Sequence, residues 1–188
     1  MRTEDPLKRR GKFAIGVLVG LVALTIGALT THPLKEVVDS SWANAYPTTK
    51  EMVANADAVV MGTVVGVDGV EVSPQADNLI YTNYSFRVDK WIVGSGSSTI
   101  LLHQMGGAVG LREVSVPDDP PFVVGESNVL FLTEYAPGKY YVMGGPTGRL
   151  QVQNGTAKVI AGSSLQIKPG SLESVIQVIA SVKTAPAP

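Results

Sequence analysis

The chain has no cysteine. That excludes disulfides, a thiolate metal site, a thiol nucleophile and attachment through a lipid-modified cysteine, so any fold here rests on its apolar core. Histidine is almost missing as well, with 2 in the chain, and only His103 lies beyond the N-terminal region. A lone histidine has no second histidine or cysteine with which to share a metal, so neither a metal nor a cofactor is expected. No G-x-S-x-G motif marks a hydrolase nucleophile, and an enzyme is not the expected reading. Charge is sparse, at 16% of residues, and unevenly placed. Arg2, Lys8, Arg9, Arg10 and Lys12 stand against Glu4 and Asp5 in the first twelve residues, while the remainder holds 10 basic against 14 acidic side chains. A phosphate backbone requires clustered lysine and arginine, so nucleic acid is excluded as an expected partner.

What is present near the N-terminus is a long apolar run, Phe13 to Thr30 (FAIGVLVGLVALTIGALT), without a charge. As a helix it would rise about 27 Å, close to the hydrocarbon core of a bilayer. The only good A-x-A cleavage pattern, Ala43-Asn44-Ala45, lies well downstream of where a signal peptide would need it. Residues 13–31 are therefore read as an uncleaved signal-anchor whose partner is the lipid bilayer. The basic flank KRRGK predicts a cytoplasmic tail over 1–12 and an extracytoplasmic remainder. Gly16 and Gly20 form a G-x-x-x-G, a spacing that lets two helices pack closely into a homodimer, although glycine is common in membrane helices for other reasons.

Residues 32–47 show no sustained period and read as a stalk. Thr48 and Glu51 have the spacing of a capping box opening a short helix through about Asn55. From Ala58 the pattern becomes β. AVVMGTVVGV (58–67) is nearly continuous in apolar residues, as for a strand buried on much of both faces, with Gly62 and Gly66 suited to bends or close backbone approach. In residues 80–89, Ile80, Thr82, Tyr84, Phe86 and Val88 alternate with Tyr81, Asn83, Ser85, Arg87 and Asp89. Further strands are predicted over Thr99–Gln104, Arg112–Val116, Asn128–Tyr135 and Tyr140–Met143, the last joined by Pro137-Gly138, which suits a type II turn. Asn154-Gly155 between Arg149–Gln153 and Thr156–Ile160 supplies the positive φ angles of a type I′ hairpin. Leu172, Val175, Ile176, Ile179 and Val182 recur at helical spacing behind Ser171, the expected N-cap of a C-terminal helix. One domain thus spans 48–183, with a frayed tail over 184–188.

The glycine-rich stretch after the third strand, Gly106-Gly107-Ala108-Val109-Gly110, resembles a phosphate loop only superficially. A phosphate cradle needs a helix N-terminus behind it, and Leu111 to Val116 continues as β, followed by Pro117, Pro120 and Pro121. The glycines are read as a chain reversal. His103 is read as a half-buried packing residue, and Asp118-Asp119 as solvated turn carboxylates rather than calcium ligands. Tyr81, Tyr84, Tyr140 and Tyr141 together would make a stacking surface. Two glycine-rich loops, each followed by an arginine, remain as candidate ligand contacts: Gly106, Gly107, Gly110 and Arg112 in one, Gly145, Gly148 and Arg149 in the other. They would suit an anionic or carbonyl-bearing ligand.

In order, ADAVVMGTVVGV, YTNYSFRVDKWIVG, MGGAVG, FVVGESNVLFL and YYVMGGPTGRLQVQNG resemble an uncharacterised family of bacterial exported or membrane-anchored small β-barrel domains. More distantly they resemble the OB-type barrels of netrin-like and metalloproteinase-inhibitor domains, over about residues 48–162. The resemblance implies a mainly β fold: an OB-like Greek-key β-barrel with a short N-terminal and a C-terminal helix. It implies a binding module of the cell envelope, with an envelope protein or glycan as partner. A protease-inhibitor-like domain is the alternative and an envelope hydrolase a more remote one. The inhibitor branch acts through an N-terminal cysteine amine and disulfide-pinned loops, and no residue here can carry that role.

Overall fold

In the computed structural model, residues 34–39, 46, 48–74 and 78–184 are described. The basic tail 1–12, the apolar segment 13–31 with Gly16 and Gly20, and all of the tail 184–188 but its first residue lie outside the described residues. Within them the chain is mainly β with two helices, neither long and apolar enough to cross a membrane. In chain order the elements are β1 (Leu34–Val37), α1 (Thr49–Asn55), β2 (Ala58–Ser73), β3 (Leu79–Val93), β4 (Thr99–Met105), β5 (Gly107–Val109) and β6 (Arg112–Ser115). There follow β7 (Ser127–Ala136), β8 (Lys139–Val142), a 3-10 turn (Gly145–Gly148), β9 (Arg149–Gln153), β10 (Thr156–Val159), β11 (Gly170–Ser171) and α2 (Leu172–Thr184).

Local chemistry accounts for the element ends. Thr48 Oγ1 accepts from the Glu51 backbone N–H at 3.2 Å while the Glu51 carboxylate accepts from the Thr48 N–H at 3.2 Å, so two of the orphan donors at the start of α1 are satisfied. At the β9–β10 hairpin both Asn154 (φ 50°) and Gly155 (φ 71°) are left-handed, the geometry of a type I′ turn. Ser171 Oγ accepts from the Ser174 N–H at 3.2 Å and caps α2.

The larger sheet runs β11-β10-β9-β7-β2-β3-β4-β8, and β7 also pairs with β8. Its pairs are antiparallel except β4 with β8. A second sheet has the order β1-β6-β5. It corrects the sequence reading twice. Part of the expected stalk is a strand, because β1 lies parallel to β6 with Leu34 opposite Arg112 and Val37 opposite Ser115. And the glycine stretch itself contributes a strand, β5, antiparallel to β6.

Two apolar clusters lie on the two faces of β2 and β7. On one face Val59, Val129 and Phe131 meet Met52 and Val53 of α1 and Val175 and Ile179 of α2. On the other, Ala58, Val60, Leu130 and Leu132 meet Phe86, Leu102 and Tyr140. This two-sided burial is why residues 58–64 read as almost unbroken apolar sequence: alternate side chains serve different cores. Gly62 sits where a Cβ would strike the backbone carbonyl of Arg87 and the Phe86 ring, whereas nothing lies within 4 Å of a Cβ at Gly66. Gly62→Ala is therefore expected to destabilise the protein by about 1–3 kcal/mol through overpacking, and Gly66→Ala to stay within about 0.5 kcal/mol of wild type. Denaturant midpoints of the two variants check this, and equal effects would contradict it.

Candidate functional site

Strand alternation sets the starting geometry. Ile100 and Leu102 of β4 point into the cluster that holds Phe86, which turns His103 to the opposite face. The same parity on β3 sends Thr82 and Tyr84 inward and Tyr81 and Asn83 outward. Tyr81 stacks on the His103 ring, with centroids 4.4 Å apart and planes within 11°. Tyr141 of β8 meets the imidazole edge-on at 5.2 Å, Tyr135 of β7 at 5.5 Å, and these two tyrosines lie 4.3 Å from each other. Four adjacent strands thus each place one ring in a continuous aromatic row. The rings cover His103 down to 7% exposure, while Tyr135 and Tyr141 keep 41% and 38% of their surface open.

The imidazole is oriented from the paired position on the neighbouring strand. Its Nδ1 lies 2.6 Å from Asn83 Oδ1. An amide oxygen only accepts, so with the amide oriented this way the hydrogen bond assigns the proton to Nδ1 and leaves the Nε2 lone pair free. Nε2 makes no hydrogen bond among the described residues. Burial lowers the His103 pKa; the nearby Glu71 carboxylate, 3.6 Å from Nδ1, opposes the shift, and Lys139 adds to it.

The row opens onto a cavity of about 220 Å³ lined by Tyr81, His103 and Tyr141 together with Gln104, Asp119 and Gly145. Gln104 and Asp119 also line a neighbouring cavity of about 240 Å³ with Thr82, Gly106, Gly107 and Ser115. Asp119 is only 7% exposed, which overturns its reading as a solvated turn carboxylate. Burial raises its pKa, while the Gln104 amide and the charge of Arg149 work the other way.

Of the glycine and arginine candidates, the structure brings Gly106 and Gly107 to one cavity and Gly145 to the other. Gly106 and Gly107 adopt φ of 110° and 132°, and the Gly106 carbonyl accepts from the Thr82 hydroxyl at 2.7 Å. Gly110 faces open space, and Gly148 lies against the Met143 carbonyl. Arg112 is held by Glu36 at 3.0 Å and the Asn78 carbonyl at 3.3 Å. Arg149 is 3% exposed and its guanidinium is spent internally: on Glu126 at 2.5 Å, on the Pro120 carbonyl at 2.7 Å, and over the Phe122 ring at 4.0 Å. It braces the loop that carries Asp119 and is not placed to meet a ligand. The expected tyrosine surface divides likewise. Tyr81 and Tyr141 face the cavity, whereas Tyr84 and Tyr140 are buried at 5% and 6% in the core, against Phe122 and Trp91. Tyr135, Asn83 and Glu71 had no singular signal in sequence, because their neighbourhood is created by cross-strand register.

Arg149→Met leaves the Glu126 carboxylate buried without its partner and is expected to cost about 3–5 kcal/mol, with the Glu126→Gln, Arg149→Met double variant recovering part of the loss in chemical denaturation. His103 is expected to titrate below the ordinary imidazole value of about 6.5, and Glu71→Gln to lower it further, as read by NMR of the ring protons. A folded-state pKa below the unfolded one means that the unfolded chain takes up the proton first, so the associated stability is complete above about pH 6.5 and declines as pH falls. Comparison with protein-family models and with curated proteins gives no match, and the site is defined by its geometry alone.

Proposed function

We propose that the protein is a membrane-anchored, extracytoplasmic binding module of the bacterial cell envelope, built as an OB-like β-barrel, that takes its ligand in the aromatic-walled cavity. The observation that carries this reading is the aromatic row itself: two open tyrosines, of which Tyr141 lines the cavity, around a histidine held through Nδ1 by Asn83. Barrel closure is supported by the cycle of pairings β2–β3–β4–β8–β7–β2, five strands with one parallel pair. The resemblance to OB-type domains fits that cycle. OB folds bind on the face of their second and third strands, and β3 and β4 hold those places here, carrying Tyr81, Asn83 and His103. The anchored, exported location rests on the apolar segment 13–31 with its basic flank.

Binding is preferred over hydrolysis on the composition of the cavity. His103 and Asp119 share it, but among the described residues no serine lines it, and Ser115 borders the neighbouring space. At about 220 Å³ the cavity falls below the roughly 300–1,000 Å³ of sites that engulf a whole small molecule, so it suits one ring or one side chain of a larger ligand.

Location is tested with Val178→Cys, a 48% exposed position in a chain without cysteine, labelled on intact cells by a membrane-impermeant maleimide. Labelling without lysis is expected, and labelling only after lysis would refute it. Binding is tested by co-purification of the full chain from solubilised envelopes: the Tyr135→Ala, Tyr141→Ala variant should lose its captured component and Arg112→Ala should retain it.

A further inference from the structure

The loop between β6 and β7 carries two buried carboxylates and the strand beneath it one guanidinium. Arg149 gives its ion pair to Glu126 and a second N–H to the Pro120 carbonyl. Asp119, equally buried, forms no ion pair among the described residues and borders the cavity. A carboxylate withdrawn from water with a neutral amide as its hydrogen-bond partner, here Gln104, and no ion pair is unfavourable unless it is protonated or meets a cation. What surrounds it in the cavity is suited to the second outcome. The rings of Tyr81 and Tyr141 line it, and the face of an aromatic ring attracts cations, while His103 Nε2 keeps a lone pair. Glu71 adds negative charge close by.

Building on the cavity as the binding site, we infer that it is a receptor for a protonated amine or guanidinium group, of the size of a lysine or arginine side chain. Donor and acceptor counts separate this class from the alternatives. The Gln104 amide is already used: Nε2 donates one N–H to the Pro120 carbonyl at 3.2 Å, the amide also serves the Asp119 carboxylate, and Oε1 accepts from the Phe122 N–H at 3.2 Å. The unspent side-chain donors of the lining are therefore the tyrosine hydroxyls, whereas Asp119 and His103 both accept. An ammonium or guanidinium brings only donors and matches this lining. A sugar ring presents as many acceptors as donors and would leave some unmet. An anion would face Asp119 with no free guanidinium to receive it, since Arg149 is committed and Arg112 is held by Glu36. A bare metal ion is disfavoured because no three histidine, aspartate or glutamate side chains converge among the described residues.

The test uses the full chain in detergent micelles, titrated with n-butylammonium and ethylguanidinium as cations, methyl β-glucopyranoside as a neutral ring and butyrate as an anion. The His103 and tyrosine ring resonances are followed. Probes this small are expected to bind with dissociation constants of about 1–10 mM, the neutral and anionic ones at least about tenfold more weakly. Asp119→Asn should weaken the cations by at least about tenfold with the same set of resonances responding, and Tyr141→Ala should also weaken them. Should Asp119→Asn fail to fold, the pH dependence of the wild type decides. Cation affinity should fall as pH drops, because Asp119, facing Gln104 and Arg149, takes up a proton, and because His103, facing Glu71, Asn83 and Lys139, gains charge. Affinity that rises toward acid pH, or an Asp119→Asn variant that binds normally, overturns the inference. If the glucoside or butyrate binds the same resonances as tightly as the cations, the inference falls and the cavity stands as the site. If no probe shifts these resonances, both fall.

Discussion

The largely buried Arg149–Glu126 ion pair ties down the loop beside the cavity. Arg149 begins β9, Glu126 precedes β7, and the chain between β6 and β7 has no sheet of its own to hold it. The guanidinium supplies what is missing: one N–H to the Glu126 carboxylate, one to the Pro120 carbonyl, a weaker contact from Nε to Asn128 Oδ1 at 3.4 Å, and its flat face against Phe122. Planarity and a fixed fork of donors make arginine suited to tying several acceptors at once, which lysine could not do. The arrangement has a cost, since Nδ2 of Asn128 is buried without a partner among the described residues. In return, Asp119 and Phe122 are held where Gln104 can bind the loop from the β4 side.

The fold achieves this with a division of labour between faces. β2 over 58–64 and β7 over 128–132 are covered on one side by α1 and α2 and on the other by the cluster around Phe86, so neither stretch shows a polar alternation. β3, β4 and β8 bury one face only. Their other face is where rings appear, and where His103 is covered by aromatic side chains instead of by a helix. A histidine covered in this way is desolvated and yet still borders a cavity.

Features that depend on a few adjacent residues were legible in the sequence. The capping box at Thr48 and Glu51, the Asn154-Gly155 hairpin and the stripe on α2 each express a local demand: a donor to satisfy, a positive φ to adopt, a face to bury. The alternation of β3 sets Tyr81 and Tyr84 on opposite faces, which is at odds with reading Tyr81, Tyr84, Tyr140 and Tyr141 as one surface. What stayed illegible was whatever needs a distant partner. Nothing local tells Asp119 that the loop braced by Arg149 will bury it, or places Tyr141 beside His103, because the parallel β4–β8 register comes from the path of β7. β1 was hidden for the same reason: its ion pair from Glu36 reaches Arg112, 76 residues away. β5 was hidden by its glycine, which argues for a turn but here lets the backbone lie close over Thr82.

The parallel strand at the start of the described chain bears on how this protein should be handled. Leu34 N–H donates to the Leu111 carbonyl at 2.6 Å and Val38 N–H to the Ser115 carbonyl at 3.0 Å, so β1 occupies one edge of β6. A recombinant fragment that starts at Tyr46, a natural choice for omitting the apolar segment 13–31, would strip that edge and leave a short row of unsatisfied amides and carbonyls beside exposed Val109 and Leu111. Bare edges of this kind recruit strands from neighbouring molecules. Expression boundaries are better drawn ahead of Leu34, so that sticky oligomers made by truncation are not mistaken for the native assembly.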